Sequence, residues 1–190
     1  MNQPQQSDEW LMGQVQRGRR EELEKLVRRY ASGLLTFIQR SIHDRHRAEE
    51  LFQETFLRVW TKRRTYDLDR PFRSWLFAIA ANLCRTELRK RRRTSQHAEQ
   101  LAAAGRDEMD SPADAAMAVE TAAIVLEGIA RLPPQQRMIV VLRVWNGMKF
   151  AEIAETFNLA ESTIRSNMHR GLASLKTILE PRLGRSIHSE

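Results

Sequence analysis

Apolar residues recur at three- and four-residue spacing along most of this 190-residue sequence, and the pattern fails only between Thr94 and about Ala116. Such spacing gathers apolar side chains on one side of an α-helix, and no stretch alternates between turn signals as a strand would. The expectation is an all-α chain. Trp10, Leu11 and Val15 open a first short helix ending near Gly18, and Leu23, Leu26, Val27 and Tyr30 open a second running towards Ile38. A third carries Ala48, Leu51, Phe52, Phe56, Val59 and Trp60, with Glu49, Glu50, Gln53, Glu54 and Arg58 on its other sides. The loop from Thr65 to Arg70 then meets Pro71.

From Pro71 to Arg93 the helical projection puts Phe72, Leu76, Ile79, Ala80 and Leu83 on one side, and Asn82, Arg85, Arg89, Arg92 and Arg93 on the other. An apolar keel facing the core and an Asn and Arg stripe facing solvent are expected. After Thr94, Gly105 and Ser111-Pro112 break any helix in a stretch of Ser, Gln, Ala and Asp, so a linker is predicted. Helical spacing returns near Met117, is interrupted by Leu132-Pro133-Pro134, and resumes from Met138 to Trp145. A turn at Asn146-Gly147, a helix from Phe150 to Phe157, a turn at Asn158 and a helix from Ser162 to Leu179 follow, with Glu180-Pro181 as the expected stop. The architecture is thus two small helical domains joined by a flexible acidic linker, at 8–95, 117–181 and 96–116 respectively.

The net charge of +7 is unevenly spread. Residues 61–93 hold 11 Lys and Arg against 3 Asp and Glu, a balance of +8, whereas 94–130 balance at −6 and 131–190 at +4. Basic clusters on folded segments suit a polyanion, because each cation near a phosphate releases condensed counterions; a solvated helix face is the alternative from charge alone. Other classes are disfavoured. The longest apolar run, Trp75 to Ala81, is too short to span a bilayer, and the polar N-terminus is no signal peptide. The single cysteine, Cys84, forms no internal disulfide, which fits a cytoplasmic chain, and is expected to be a packed thiol. His43 and His46 are expected in a turn between helices rather than on a metal. Nothing resembles a phosphate loop, a catalytic triad or a carboxylate pair, so no cofactor, small-molecule substrate or catalysis of its own is expected.

The C-terminal spacing is that of a helix-turn-helix. Ala154 is small enough for a close helix crossing, Asn158 tolerates a left-handed turn, and Ile153, Leu159 and Ile164 are expected to fill the angle. The second helix would then present Arg165, Ser166, His169 and Arg170 to a major groove.

Taken together, the two halves resemble a bacterial extracytoplasmic-function sigma factor of the sigma-70 family, a promoter-recognition subunit of RNA polymerase. The segment from Ala48 to Trp60 resembles the family's core-polymerase-binding helix, and Phe72 to Leu83 with its following Arg run resembles its −10 recognition helix. Leu132-Pro133, Gln136-Arg137, Glu152-Ile153-Ala154 and Ser162 to Ser166 resemble its −35 recognition domain. The resemblance implies core-polymerase contacts at Glu50, Gln53 and Glu54 beside exposed Leu51 and Phe52. It implies −10 contacts at Tyr66, Asp67, Arg70, Asn82, Arg85, Arg89 and Arg92, with the loop from Tyr66 to Arg70 capturing a flipped base. At −35 it implies Ser162, Thr163, Arg165, Ser166, His169 and Arg170.

Core RNA polymerase, promoter DNA and an anti-sigma factor are the partners implied, and the acidic linker, with Asp107, Glu108 and Asp110, resembles the segment threaded through the polymerase interior. Two departures stand out: Gly147-Met148-Lys149 lacks the hydroxyl that usually caps the first helix of the motif, and Ala160 stands where a cap before the recognition helix is usual. Asn167 and His169 also differ from common choices. Two other classes remain open: a stand-alone dimeric helix-turn-helix regulator, and a helical adaptor that touches polymerase or RNA without choosing promoters.

Overall fold

The computed structural model describes residues 6–98 and 116–186, and among them every regular element is helical. In chain order these are α1 (Asp8–Gln16), α2 (Arg20–Ile42), α3 (Arg45–Lys62), a 3-10 turn (Arg63–Thr65) and α4 (Phe72–Ala98). Then come α5 (Ala116–Ala130), α6 (Pro134–Val144), α7 (Phe150–Phe157) and α8 (Glu161–Ser186). The acidic stretch containing Asp107, Glu108 and Asp110 lies outside the described residues.

Local chemistry sets most of the ends. Ser7 Oγ accepts from the Trp10 amide at 3.1 Å to start α1, and Gly18, at φ +92°, turns the chain out of it. His43 closes α2 in the left-handed region at φ 52°, and Asp44 at once caps α3 by accepting from the Arg47 amide at 2.8 Å. That joint is tied to α4: the other Asp44 oxygen accepts from Arg91 at 2.7 Å, and Glu87 accepts from both Arg47 and Arg91 at 3.0 Å. Burial alone would raise the Glu87 carboxyl, but the bonds from Arg91 and Arg47 outweigh it and hold the group below its ordinary value. Across the bundle, Glu9 of α1 accepts from the Phe72 amide at 3.1 Å, capping α4 from a distant part of the chain.

The first four helices enclose Leu11, Leu26, Phe37, Phe56, Val59 and Phe72. Aromatic rings meet edge to face there, Phe37 with Phe77 at 5.4 Å and Tyr66 with Phe72 at 5.9 Å. In the C-terminal half α6 and α8 approach closely at Gly171, where a Cβ would lie 3.1 Å from the Val140 side chain. A larger residue there would require the Val140 side chain to give by a few tenths of an ångström.

The halves pack on each other, α4 against α7 and α2 against α6. Arg137, at the start of α6, is buried and donates to the Ser41 carbonyl at 2.8 Å and the Leu132 carbonyl at 3.0 Å. Asn146 Nδ2 donates to the Gly33 carbonyl at 2.9 Å, and the Arg40 guanidinium lies 4.2 Å over the Trp145 ring. The two-sided reading of α4 changes at one point of its Asn and Arg side: Arg85 is half-buried against Phe157, while Asn82, Arg89, Arg92 and Arg93 are exposed. A second apolar stripe, Phe77, Ala81 and Cys84, is also buried, Phe77 against Tyr30 and Phe37 of α2. Two end points also differ from expectation: α4 continues past Arg93 to Ala98, and α8 continues through Pro181. Proline removes one helical donor, but its fixed φ is helical, so a helix end can carry it when its neighbours pack.

The seam contains a titratable group. Burial, reinforced by nearby Arg137, pushes the His43 imidazole down to about 4. The unfolded chain therefore binds a proton near pH 6.5 that the folded chain refuses. Stability should be full above pH 6.5 and fall by about 1–3 kcal/mol as the pH drops towards 4. The Asp44 carboxyl, held low mainly by the Arg47 amide, loses its contribution only below its ordinary value of 3.8. His43→Asn, which keeps the left-handed turn accessible, should flatten the limb between pH 6.5 and 4 in urea unfolding; an unchanged slope would place its origin elsewhere.

Candidate nucleic-acid interface

The recognition surface of the C-terminal half is built on a short turn. Asn158 adopts φ 51° and ψ 51°, ending α7 and aiming the chain into α8. Ile153 and Ile164 are fully buried in the angle between the helices, whereas Leu159, 37% exposed, is not the filler that its spacing predicts. The missing caps are met unequally. At α7, Glu152 accepts from the Lys149 amide at 2.6 Å, the reciprocal half of a capping box, while no side chain takes the place of the lost hydroxyl itself. Glu161 does not act for Ala160 in this way, because its carboxylate accepts from Arg165 Nε at 2.9 Å.

Ser162, Thr163, Arg165, Ser166, His169 and Arg170 are all exposed along one side of α8. Four of them, Arg165, Ser166, His169 and Arg170, adjoin one another on a nearly flat, open surface. Arg165 is held in place: Glu161 takes its Nε, and its guanidinium lies 4.4 Å over the Phe150 ring, which Arg143 approaches at 4.9 Å. The role of Phe150 is one that motif reading misses, because its place seven residues after Arg143 and fifteen before Arg165 leaves no sequence signal for the contact. A preorganised guanidinium beside hydroxyls and an imidazole can grip phosphates and base edges.

The second basic surface lies on α4 and the loop before it. Asn82 is exposed, and its Oδ1 accepts from Arg85 at 3.2 Å. Arg89 and Arg92 are exposed one and two turns on. Arg85 is half-buried, with its guanidinium 4.9 Å over the Phe157 ring of α7, and that burial lowers its pKa. Asp67 shapes the loop by accepting from the Asp69 amide at 3.1 Å, and exposed Arg70 reaches Glu155 at 3.2 Å. Tyr66 requires a correction: it is 4% exposed, packs 4.8 Å from Trp75, and donates its hydroxyl to the Arg70 carbonyl. Its ring thus fixes the shape of the loop from inside the core rather than stacking on anything outside. Burial raises its phenol accordingly.

On α3, Glu50 and Gln53 are exposed and Glu54 is half-buried, with Glu50 paired to Arg47 and Glu54 to Arg58 at 2.7 Å. Leu51 is also corrected: it is 1% exposed and belongs to the core, while Phe52, half-buried, packs against Phe56 at 5.2 Å. The large apolar side chain that α3 does present is Leu57, 66% exposed, one turn beyond Gln53. Leu57 and the carboxylates give this face apolar and acidic groups, the complement of a helix carrying apolar residues and cations.

Comparison with known proteins agrees with this geometry. The family model for sigma-70 region 2 matches residues 26–94, and that for sigma-70 region 4 matches residues 122–175. The RNA polymerase sigma factor CarQ of Myxococcus xanthus is 31% identical over 165 residues, 85% of this chain and 91% of that protein. The ECF RNA polymerase sigma factor SigW of Bacillus subtilis is 27% identical over 171 residues, 86% of this chain and 91% of its own. Among solved structures, CnrH in complex with the cytosolic domain of CnrY superposes with a TM-score of 0.73 at 24% identity, over 93% of this chain and 99% of that one. The sigma factor RpoE, in complex with the anti-sigma factor NepR from Bartonella quintana, gives 0.69 at 20% identity, over 84% and 98%. At such identities the two structures speak to the fold alone.

Proposed function

The chain belongs to the extracytoplasmic-function sigma factors of the sigma-70 family, and from that premise we propose how its residues divide the work. It binds core RNA polymerase and directs promoter-specific initiation. We assign the core-polymerase contact to the α3 face of Glu50, Gln53, Glu54 and Leu57, within a module spanning 8–95. The same module takes the −10 strand, with Asn82 reading an unstacked base through its donor and acceptor. Arg70, Arg85, Arg89 and Arg92 hold the backbone. Residues 117–181 form the −35 module, in which α8 enters the major groove of duplex DNA, and 96–116 link the two.

The observation that carries this reading is the presence, on one chain, of an exposed recognition helix and a separate Asn and Arg surface on α4. A stand-alone helix-turn-helix regulator has no use for the second. Catalysis belongs to the polymerase, and the chain supplies specificity, acting in the cytoplasm where the polymerase works. Two structural neighbours were solved with bound partners, a cytosolic domain and an anti-sigma factor. An anti-sigma factor is accordingly proposed for this chain.

Run-off transcription with purified core polymerase and a cognate promoter tests the assignment. A promoter-dependent transcript is expected; tight, palindromic duplex binding by the protein alone with no transcript would replace the reading with the stand-alone regulator. Arg165→Ala and Arg170→Ala should each weaken discrimination of the −35 sequence by about 1–3 kcal/mol. Phe150→Leu, which retains bulk but loses the ring under Arg165, should cost about 0.5–1 kcal/mol of the same discrimination. Unaltered preference in all three variants, measured by competition between native and scrambled −35 duplexes, would put the reading face elsewhere.

A further inference from the structure

Where α4 meets α7, three guanidinium groups from one half of the chain meet two carboxylates and a ring from the other. Arg70 Nε lies 3.2 Å from Glu155 Oε1, and Arg73 lies 3.6 Å from Glu152 Oε1 while also donating to the Asn146 carbonyl. Arg85 completes the set over Phe157 at 4.9 Å. Anionic oxygens spaced along a backbone, with a flat π-face between cations, are the groups that a single nucleic-acid strand presents to a protein. The side of α7 that faces α4 therefore offers the chemistry of a strand.

The masking is one-sided. The recognition face of α8, with Arg165, Ser166, His169 and Arg170, is exposed, and so are Glu50, Gln53 and Leu57 on α3. We propose that Arg70, Arg73 and Arg85 form one surface for single-stranded DNA, to which Arg73 is a new contributor, and that α7 fills it in the free chain with Glu152, Glu155 and Phe157. This rests on the assignment of α4 to the −10 strand. The free protein then keeps its duplex-reading and polymerase-docking faces open while the Arg70, Arg73 and Arg85 part of its strand-reading face is occupied, Asn82, Arg89 and Arg92 remaining exposed beside it. Partly exposed ion pairs are individually weak, so a strand carrying a phosphate at every nucleotide can displace them once the halves separate.

Binding of the free, full-length chain to a fluorescein-labelled dT15 oligonucleotide, followed by anisotropy, tests the proposal. Glu152→Gln/Glu155→Gln should raise affinity about 3- to 10-fold. Adding Arg73→Ala to that pair should reverse most of the gain. Glu21→Gln/Glu24→Gln, the same change in net charge at exposed positions of α2, should raise affinity less than 2-fold by the general increase in positive charge alone. Glu155→Gln alone, which leaves the Glu152 cap intact, should show part of the effect and guards against a folding defect in the double variant. An equal rise in the α2 control, or no rise in either α7 variant, would overturn the masking.

The premise is tested separately by promoter-dependent run-off transcription with core polymerase. Arg73→Ala should lower transcript yield from a duplex promoter several-fold and recover on a template pre-opened at −10. Wild-type transcription with no response of dT15 binding to the α7 variants sinks the masking and leaves the sigma-factor reading intact. Failure of the wild-type chain to select a promoter sinks the reading itself.

Discussion

The buried guanidinium of Arg137 is the interaction on which the relation between the two halves depends. A charge removed from water is costly unless its donors are taken up, and here carbonyls from both sides of the seam take its two terminal nitrogens: Ser41 near the end of α2, Ala130 at the end of α5 and Leu132 in the turn after it, while Nε has no partner among the described residues. Those carbonyls sit at helix ends, where backbone acceptors lack partners of their own. One side chain thus satisfies the C-terminal ends of two helices from different halves and fixes their relative placement. Desolvation lowers its pKa, yet a guanidinium this basic stays charged. His43, beside it, is kept neutral for the same reason.

That placement accounts for where sequence reasoning succeeded and where it stopped. Helix identity and the turn at Asn158 are local properties, written in three-and-four spacing and in the few residues that tolerate a left-handed backbone. The outward side of α8 follows from the same periodicity. Leu51 and Tyr66 were misplaced because family motifs name positions in a helix or loop, and the decision between inside and outside comes from long-range packing. Leu51 lies on the same face of α3 as Ala48, Thr55 and Val59, all buried, and that spacing was the available signal.

The case of α4 is subtler. Its keel is legible, but Phe77, Ala81 and Cys84 form a second apolar stripe whose burial is decided by long-range packing, as of Phe77 on Tyr30 and Phe37 of α2. Arg85 over the Phe157 ring shows that the basic side is also an interface. Cys84 shows the consequence of burial chemically: its thiol is pushed up to about 12, so the neighbouring arginines do not make it reactive.

The character of the seam also bears on how it can part. The directional contacts across it are polar: Arg137 to carbonyls, Asn146 to Gly33, Arg70 and Arg73 to carboxylates, and Arg40 and Arg85 over rings. Polar groups regain water when an interface opens, so each such bond contributes only about 0.5–1.5 kcal/mol net. The polar contacts therefore add less to the cost of separation than their number suggests. A chain that must offer α4 to a DNA strand and α8 to a duplex gains from that balance: the seam is specific enough to define one closed arrangement, and polar enough for a polyelectrolyte and a large protein partner to replace it.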